Sequence, residues 1–228
     1  MSVTLEHERV LWDAGAELIA GIDEVGRGAL AGPVSVGVFA VGRCEVWPDG
    51  LADSKQLTRA QREALCSPLA GFGVARAVGH ASAAEIDAVG ILAALRVAAL
   101  RALAAVGPVD VVLLDGKYDW LTAPEPTLFD AAPVDAAPLE LAPLDPAPPV
   151  RMVIKGDTLC ASIAAASVLA KVERDALMRD AHTAHPEYGW EGNKGYGAAA
   201  HLDALRRLGP TPWHRTSWAL PGLEPAPV

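Results

Sequence analysis

The order of the apolar runs constrains this chain more than any other feature. Glu17–Asp23 (ELIAGID) reads as a buried strand, and Val34–Val41 (VSVGVFAV) as a second, alternating β-branched and small residues. Val74–His80 is a third strand. Thr58–Leu69 reads as a short helix capped by Thr58. Ser82–Val106 is helical, with Ser82 and Glu85 forming a capping box and Gly107-Pro108 ending it. Val109–Leu114 (VDVVLL) and Val150–Ile154 are two further short strands. Cys160–Asp180 is a long Ala-rich helix and Ala198–Leu208 a shorter one. Three leading strands, then strands alternating with helices, predict an α/β domain built on a mixed sheet.

Composition narrows the setting. The 228 residues suit one domain with an appendage, and 51% hydrophobic residues can fill a large core. Aromatics are only 5%, so Ala, Leu and Val must do most of the packing. Cys44, Cys66 and Cys160 are odd in number and match no zinc spacing, which points to reduced thiols in a cytoplasmic protein. The opening MSVTLEHERV lacks the apolar core of a signal peptide. The longest uncharged apolar runs, 28–42 and 158–170, fall short of the ~20 residues that span a bilayer, so no membrane role is expected.

A net charge of -9 argues at first against a nucleic-acid partner. Five of those charges sit in one segment, Thr122–Pro149, which holds Glu125, Asp130, Asp135, Glu140 and Asp145 and no Lys or Arg. From Ala132 this segment repeats Ala-Pro-x-acid with a five-residue period. So many prolines cannot continue a helix or a central strand, and the segment reads as an extended acidic insert. A solvated spacer is its plainest role and a partner-docking site the alternative. The rest of the chain is closer to neutral, more so where its carboxylates hold cations.

Three acidic positions carry the chemistry. Asp23-Glu24 ends the first strand, Asp115 ends the fourth, and Asp157 follows the fifth. Singly, each has an ordinary explanation: a solvated strand end for Asp23-Glu24, a helix N-cap for Asp157. Together they are more telling, because sites in α/β sheets gather at strand ends. Four close carboxylates repel unless protonated or bound to cations, and hard oxygen ligands suit Mg²⁺ or Mn²⁺. Two such ions ~3.5–4 Å apart serve phosphodiester hydrolysis.

Gly26-Arg27-Gly28-Ala29-Leu30-Ala31 fits a dinucleotide-binding fingerprint, with Asp53 near the right distance. The fingerprint requires a helix directly after the glycines. Gly32-Pro33 and a β-branched strand follow instead, so that reading fails on context. Glycines at 26 and 28 still allow close backbone approach to a ligand. Ser54-Lys55, Lys155, Asn193-Lys194 and His214–Ser217 lie in predicted loops and suit a phosphate-rich partner. Tyr196, between Gly195 and Gly197, is either a packed anchor or a stacking surface. His201 is a packed residue or, beside a metal site, a proton shuttle.

These pieces, in this order, resemble the ribonuclease HII family. The matching segments are GIDEVGRGALAGPV (21–34), LADSKQLT (51–58), VVLLDGKYDW (111–120), IKGDTLCASIAAASVLAKVERD (154–175) and NKGYGAAAHLDALRRLGPTPWHRTSW (193–218). The resemblance covers about residues 17–218, apart from the insert at 122–149. It implies a ribonuclease H-like fold, a mixed central sheet flanked by helices, with a small C-terminal helical extension from about residue 186. Residues 1–16 are then an N-terminal segment and 219–228 a flexible tail.

The resemblance also implies an endonuclease that cuts the RNA strand of RNA–DNA hybrids and incises 5′ of single ribonucleotides in duplex DNA. It leaves 3′-hydroxyl and 5′-phosphate ends, and serves ribonucleotide removal and RNA primer processing. It implies Asp23, Glu24, Asp115 and Asp157 as ligands of two Mg²⁺ or Mn²⁺ ions, and a monomer as the working form. It implies that Gly26, Arg27, Gly28 and Tyr196 sense the RNA-to-DNA step, with Ser54, Lys55, Arg215 and Ser217 at phosphate-contacting positions. Ser162, Ala164–Ser167 and Lys171 look like helix packing and phosphate support. Thr158-Leu159 departs from the Ser-Lys that many relatives carry after the last acid, and the Pro-rich insert is long for the family. Two rivals remain: a phosphotransferase using Asp-held Mg²⁺, disfavoured by the absence of a nucleotide phosphate loop, and a non-catalytic hybrid binder, disfavoured by four acids placed beside phosphates.

Overall fold

A computed structural model describes residues 3–122 and 147–221. Most of the acidic insert and most of the C-terminal tail therefore lie outside the described residues. Five strands form one sheet: β1 (Leu18–Val25), β2 (Val34–Gly42), β3 (Ala75–Ala81), β4 (Val111–Asp115) and β5 (Val150–Val153). Their order is β3-β2-β1-β4-β5. β2 pairs antiparallel with both β1 and β3, whereas β1, β4 and β5 run parallel, which is the expected mixed sheet.

Strand alternation sorts the core into two layers. Ile19, Phe39, Val41 and Leu113 face α1 (Glu6–Asp13), α2 (Arg59–Phe72) and the long α5 (Ala161–Ala184). Ala20, Ile22, Val36, Val38, Val112 and Leu114 face α3 (Ala83–Val106) on the other side. The alanines of α5 let it lie almost on the backbone of β1. A Cβ at Gly21 would overlap the Ser162 carbonyl carbon.

The expected Ser82–Glu85 capping box forms on α3, and the expected Thr58 cap of α2 forms a box as well, with Gln61. α3 is long and apolar enough to cross a membrane, although Arg96 and Arg101 interrupt its uncharged run. It breaks at Gly90, which leaves helical geometry, and it packs along β2 and β3.

Two features depart from the sequence reading. The N-terminal segment contains α1, and Val3, Leu5, Leu11 and Trp12 are buried in the main core. Thr4 bridges to the entry of α5: its N–H donates to Leu159 O (2.8 Å) and its O accepts from Ala161 N–H (2.9 Å). Asp157 is not an N-cap of the long helix; it sits in a separate turn, α4 (Gly156–Leu159), and Cys160 takes the cap position of α5. Beyond α5, a single-turn helix α6 (Trp190–Asn193) and α7 (Ala199–Leu208) enclose a small core of Met178, Tyr188, Trp190 and Leu205.

Candidate active site

Parallel pairing of β1 with β4 brings two of the acids together. The register runs from Ile19–Val111 to Ile22–Leu114. The next residues, Asp23 and Asp115, therefore stand level at the C-terminal ends of neighbouring strands. Glu24 follows on β1. β5 pairs Val153 with Asp115, and the chain then turns through Lys155 into α4. Lys155 holds a left-handed conformation (φ 59°), uncommon for a residue with a side chain. The turn aims Gly156 N–H at Asp115 Oδ1 (2.7 Å) and buries Asp157 beside it.

The four carboxylates burden one another. Asp23 is 5% exposed; burial, reinforced by Glu24 and Asp115, pushes its carboxyl up to about 8. A hydrogen bond from Ser167 and the charge of Lys55 act the other way. Burial also raises Glu24, with Arg27 countering and Asp115 adding to the shift. Burial and repulsion from Asp157 raise Asp115 despite two backbone N–H donors. A buried, acidic patch of this kind lacks positive charge.

Lys55 supplies part of it. Its exposed side chain reaches over the site and places Nζ 2.7 Å from Asp157 Oδ2 and 3.9 Å from Asp53 Oδ1. Burial works against its charge, but Asp157, Asp23 and Asp53 outweigh that and raise it. Among the described residues, no three acidic, His or Cys side chains are gathered tightly enough to hold an ion as they stand. The donor chemistry fits a hard divalent cation, around which the carboxylates would close by shifting, with Asp157 Oδ1 still open while Lys55 holds Oδ2.

The turn beside the acids is held from below. Arg215, expected at a phosphate, is placed fully buried beneath the turn. Its guanidinium donates to the carbonyls of Arg27 (2.8 Å), Gly26 (2.6 Å) and Gly32 (3.1 Å). Arg174, also fully buried, donates to Pro33 O, Lys194 O and Ala31 O. Gly26 has φ 84°, and a Cβ there would overlap Arg174. Packing thus requires glycine at 26, whereas Gly28 faces open space and leaves its backbone accessible. Arg27 is half exposed, 3.5 Å from Glu24.

Ser54 is also buried rather than in an open loop. Its hydroxyl shares a 2.7 Å hydrogen bond with Ser167, and Arg62 holds its carbonyl at 2.8 Å. Ser217 is exposed, with its hydroxyl donating to Asp87 (2.6 Å). Tyr196 is 39% exposed, with the Arg174 guanidinium 5.7 Å from its ring centre. His201 is fully buried, which is the packed-residue reading. Lys171 pairs with Asp175 at 2.7 Å, and because Asp175 is 5% exposed this is no surface pair. Sequence reasoning missed Arg62 and Arg174 and read His214 only as a loop residue, because a charged or imidazole side chain tied to buried carbonyls and rings is indistinguishable, residue by residue, from a solvated one.

A mixed five-stranded sheet flanked by helices, with acids at the ends of its parallel strands, defines an α/β domain of the ribonuclease H type. The ribonuclease H2 of Pyrococcus horikoshii has the same fold: TM-score 0.61 at 25% identity, over 89% of this chain and 94% of that one. The sequence model of Ribonuclease HII matches residues 20–220. Ribonuclease HII of Streptomyces avermitilis is 46% identical over 207 residues, 90% of this chain and 78% of the relative. That of Salinibacter ruber is 44% identical over 217 residues, 95% and 98% of the two chains. The chain belongs to the ribonuclease HII family and is an endoribonuclease of the ribonuclease H type.

Proposed function

We propose that this endonuclease hydrolyses the RNA strand of RNA–DNA hybrids and incises duplex DNA on the 5′ side of single ribonucleotides. The observation that carries the reading is the meeting of Asp23, Glu24, Asp115 and Asp157 at one buried patch, next to an accessible Gly28 backbone and an exposed Tyr196. In this reading the four carboxylates hold two Mg²⁺ or Mn²⁺ ions. The chemistry such ions supply when bound is a nucleophilic water at neutral pH and relief of charge on the leaving oxygen, giving 3′-hydroxyl and 5′-phosphate ends.

The chain's own residues do the selecting. The Gly26–Gly28 turn, fixed by Arg215 and Arg174, presents backbone groups to a ribose 2′-hydroxyl, the group that distinguishes RNA from DNA. Tyr196 stacks on the following deoxyribose. Lys55, released from Asp157, and the half-exposed Arg27 are free to meet phosphates. Ser54 and Arg215 support the site from within.

A labelled DNA duplex with one ribonucleotide, incubated with and without Mg²⁺, tests the reading. One cut 5′ of the ribonucleotide, only with the metal, is expected. Cleavage of long hybrids alone would remove the junction activity. Binding without cleavage of either substrate would leave a hybrid binder.

A further inference from the structure

We infer that the buried His201–His214 pair is a positioning device that fixes Tyr196 and thereby sets selectivity for the RNA-to-DNA junction. The inference rests on the reading of Tyr196 given above and names what holds that residue in place.

Tyr196 belongs to no helix or strand. It follows Gly195, which has φ 85° and lies so close to Ala31 that a Cβ would overlap the Ala31 carbonyl. That contact ties the loop to the Gly26–Pro33 turn but leaves the peptide after Tyr196 to be fixed otherwise. The Tyr196 carbonyl accepts from Ala198 N–H (2.8 Å) and lies 2.9 Å from His201 Nδ1. His201 is on the first turn of α7 and fully buried.

The protons along this relay are fixed by groups that have no choice. The Thr211 amide, which can only donate, points at His214 Nδ1 (2.9 Å). His214 therefore carries its proton on Nε2, 3.1 Å from His201 Nε2. The Trp190 indole N–H, again only a donor, points at the same His201 Nε2 (3.2 Å). His201 Nε2 must accept, so its proton is on Nδ1, facing the Tyr196 carbonyl. One directional chain results, from the 211 turn through His214 and His201 to Tyr196. The rings of Tyr188 and Trp190 wall it in, 4.8 and 5.3 Å from the His214 ring centre. Burial favours both imidazoles neutral, as the chain requires. General packing would need no such agreement of donors and acceptors, since an apolar ring fills the same space.

Two substitutions separate positioning from packing. The Asn amide reaches as far as Nδ1 of a histidine; the Gln amide reaches as far as Nε2. His201→Asn keeps a donor for Tyr196 and loses the core contacts, whereas His201→Gln keeps the core contacts and loses that donor. kcat/KM is measured for wild type, both variants and Tyr196→Ala, on a single-ribonucleotide duplex and on a long hybrid. His201→Gln should lower the single-ribonucleotide to hybrid ratio about tenfold, in common with Tyr196→Ala, while His201→Asn keeps most of it. An unchanged ratio in His201→Gln beside a reduced one in Tyr196→Ala overturns the inference alone. An unchanged ratio in Tyr196→Ala overturns the reading of Tyr196 and the inference with it. Ring ¹⁵N shifts of the wild-type chain report the tautomer without any substitution: Nδ1 of His201 must carry the proton, and a His201 protonated on Nε2 instead sinks the idea.

Discussion

Lys55 Nζ stands 2.7 Å from Asp157 Oδ2, so the residue read as a metal ligand already holds a cation of the protein's own. The ammonium relieves a patch that would otherwise be purely acidic, and it competes with any ion that needs Asp157. Lys55→Met should therefore tighten Mn²⁺ binding to the substrate-free enzyme, by about tenfold for the loss of roughly one neighbouring charge. The same variant should cut hybrids less well, because the released Lys55 is read as a phosphate contact. Titration calorimetry with Mn²⁺ beside a cleavage assay checks both signs. Weaker metal binding in Lys55→Met would show that the lysine organises the carboxylates instead of competing for them.

Asp115→Asn removes one carboxylate charge from the proposed metal site at nearly constant volume. The amide oxygen can still accept from Gly156 N–H, so the turn into α4 should persist. Repulsion with Asp157 disappears, and thermal stability without metal should stay level or rise. Turnover should fall by about a thousandfold, the scale of lost metal assistance. Near-normal cleavage in Mg²⁺ would remove Asp115 from the site.

Arg215 supports the turn from beneath, and its role is expected to be that support and not a phosphate contact. Arg215→Met leaves the carbonyls of Gly26, Arg27 and Gly32 without their donors in a buried place, a loss of about 3 kcal/mol. A phosphate contact behaves differently: its removal flattens the dependence of binding on salt. The expected outcome is a lower melting temperature with an unchanged salt slope of hybrid binding. A flatter slope would return Arg215 to the substrate interface.

Acid should weaken the C-terminal helical part through His214. Burial, helped by the neighbouring His201, pushes this imidazole down to about 4, while His185 and Tyr188 also face it. Unfolded, it takes up a proton near 6.5. Between those values the unfolded chain binds more protons. The stability contributed is thus fully present above pH 6.5 and is lost as pH falls toward 4, by up to about 3 kcal/mol. Urea midpoints at several pH values should show a shallower acid slope in His214→Gln than in wild type. Parallel slopes would mean that His214 titrates normally.

How much of this was legible depends on what the signal consisted of. The strands and long helices carry period-two or period-3.6 apolar patterns and capping residues, and Ser82 with Glu85 marked the start of α3 correctly. α1 escaped notice because its eight residues, EHERVLWD, are mostly polar and bury few side chains, and Glu8 is used unusually, accepting from Ser162 at the start of α5. The acids stood out because each follows an apolar run. Arg174 and Arg215 did not, since hydrogen bonds to carbonyls more than 140 residues away leave no local pattern. Arg215 reads, with its neighbours, as a loop residue suited to phosphate, and nothing local in the sequence shows that its guanidinium holds the carbonyls of Gly26, Arg27 and Gly32.

The bridge between Thr4 and the entry of α5 ties nearly the first residues of the chain to residues 159–161. During synthesis the N-terminal strand can pair with β2 at once, but Thr4 and Glu8 wait for partners that emerge some 150 residues later. Closing so large a loop is slow relative to hairpin formation. The acids at 23 and 157 share that delay, so a nascent chain carries no assembled nuclease until most of its length has left the ribosome. In refolding, amide protection at Ala161 should arise in the last phase, together with activity and well after protection across β1 and β2.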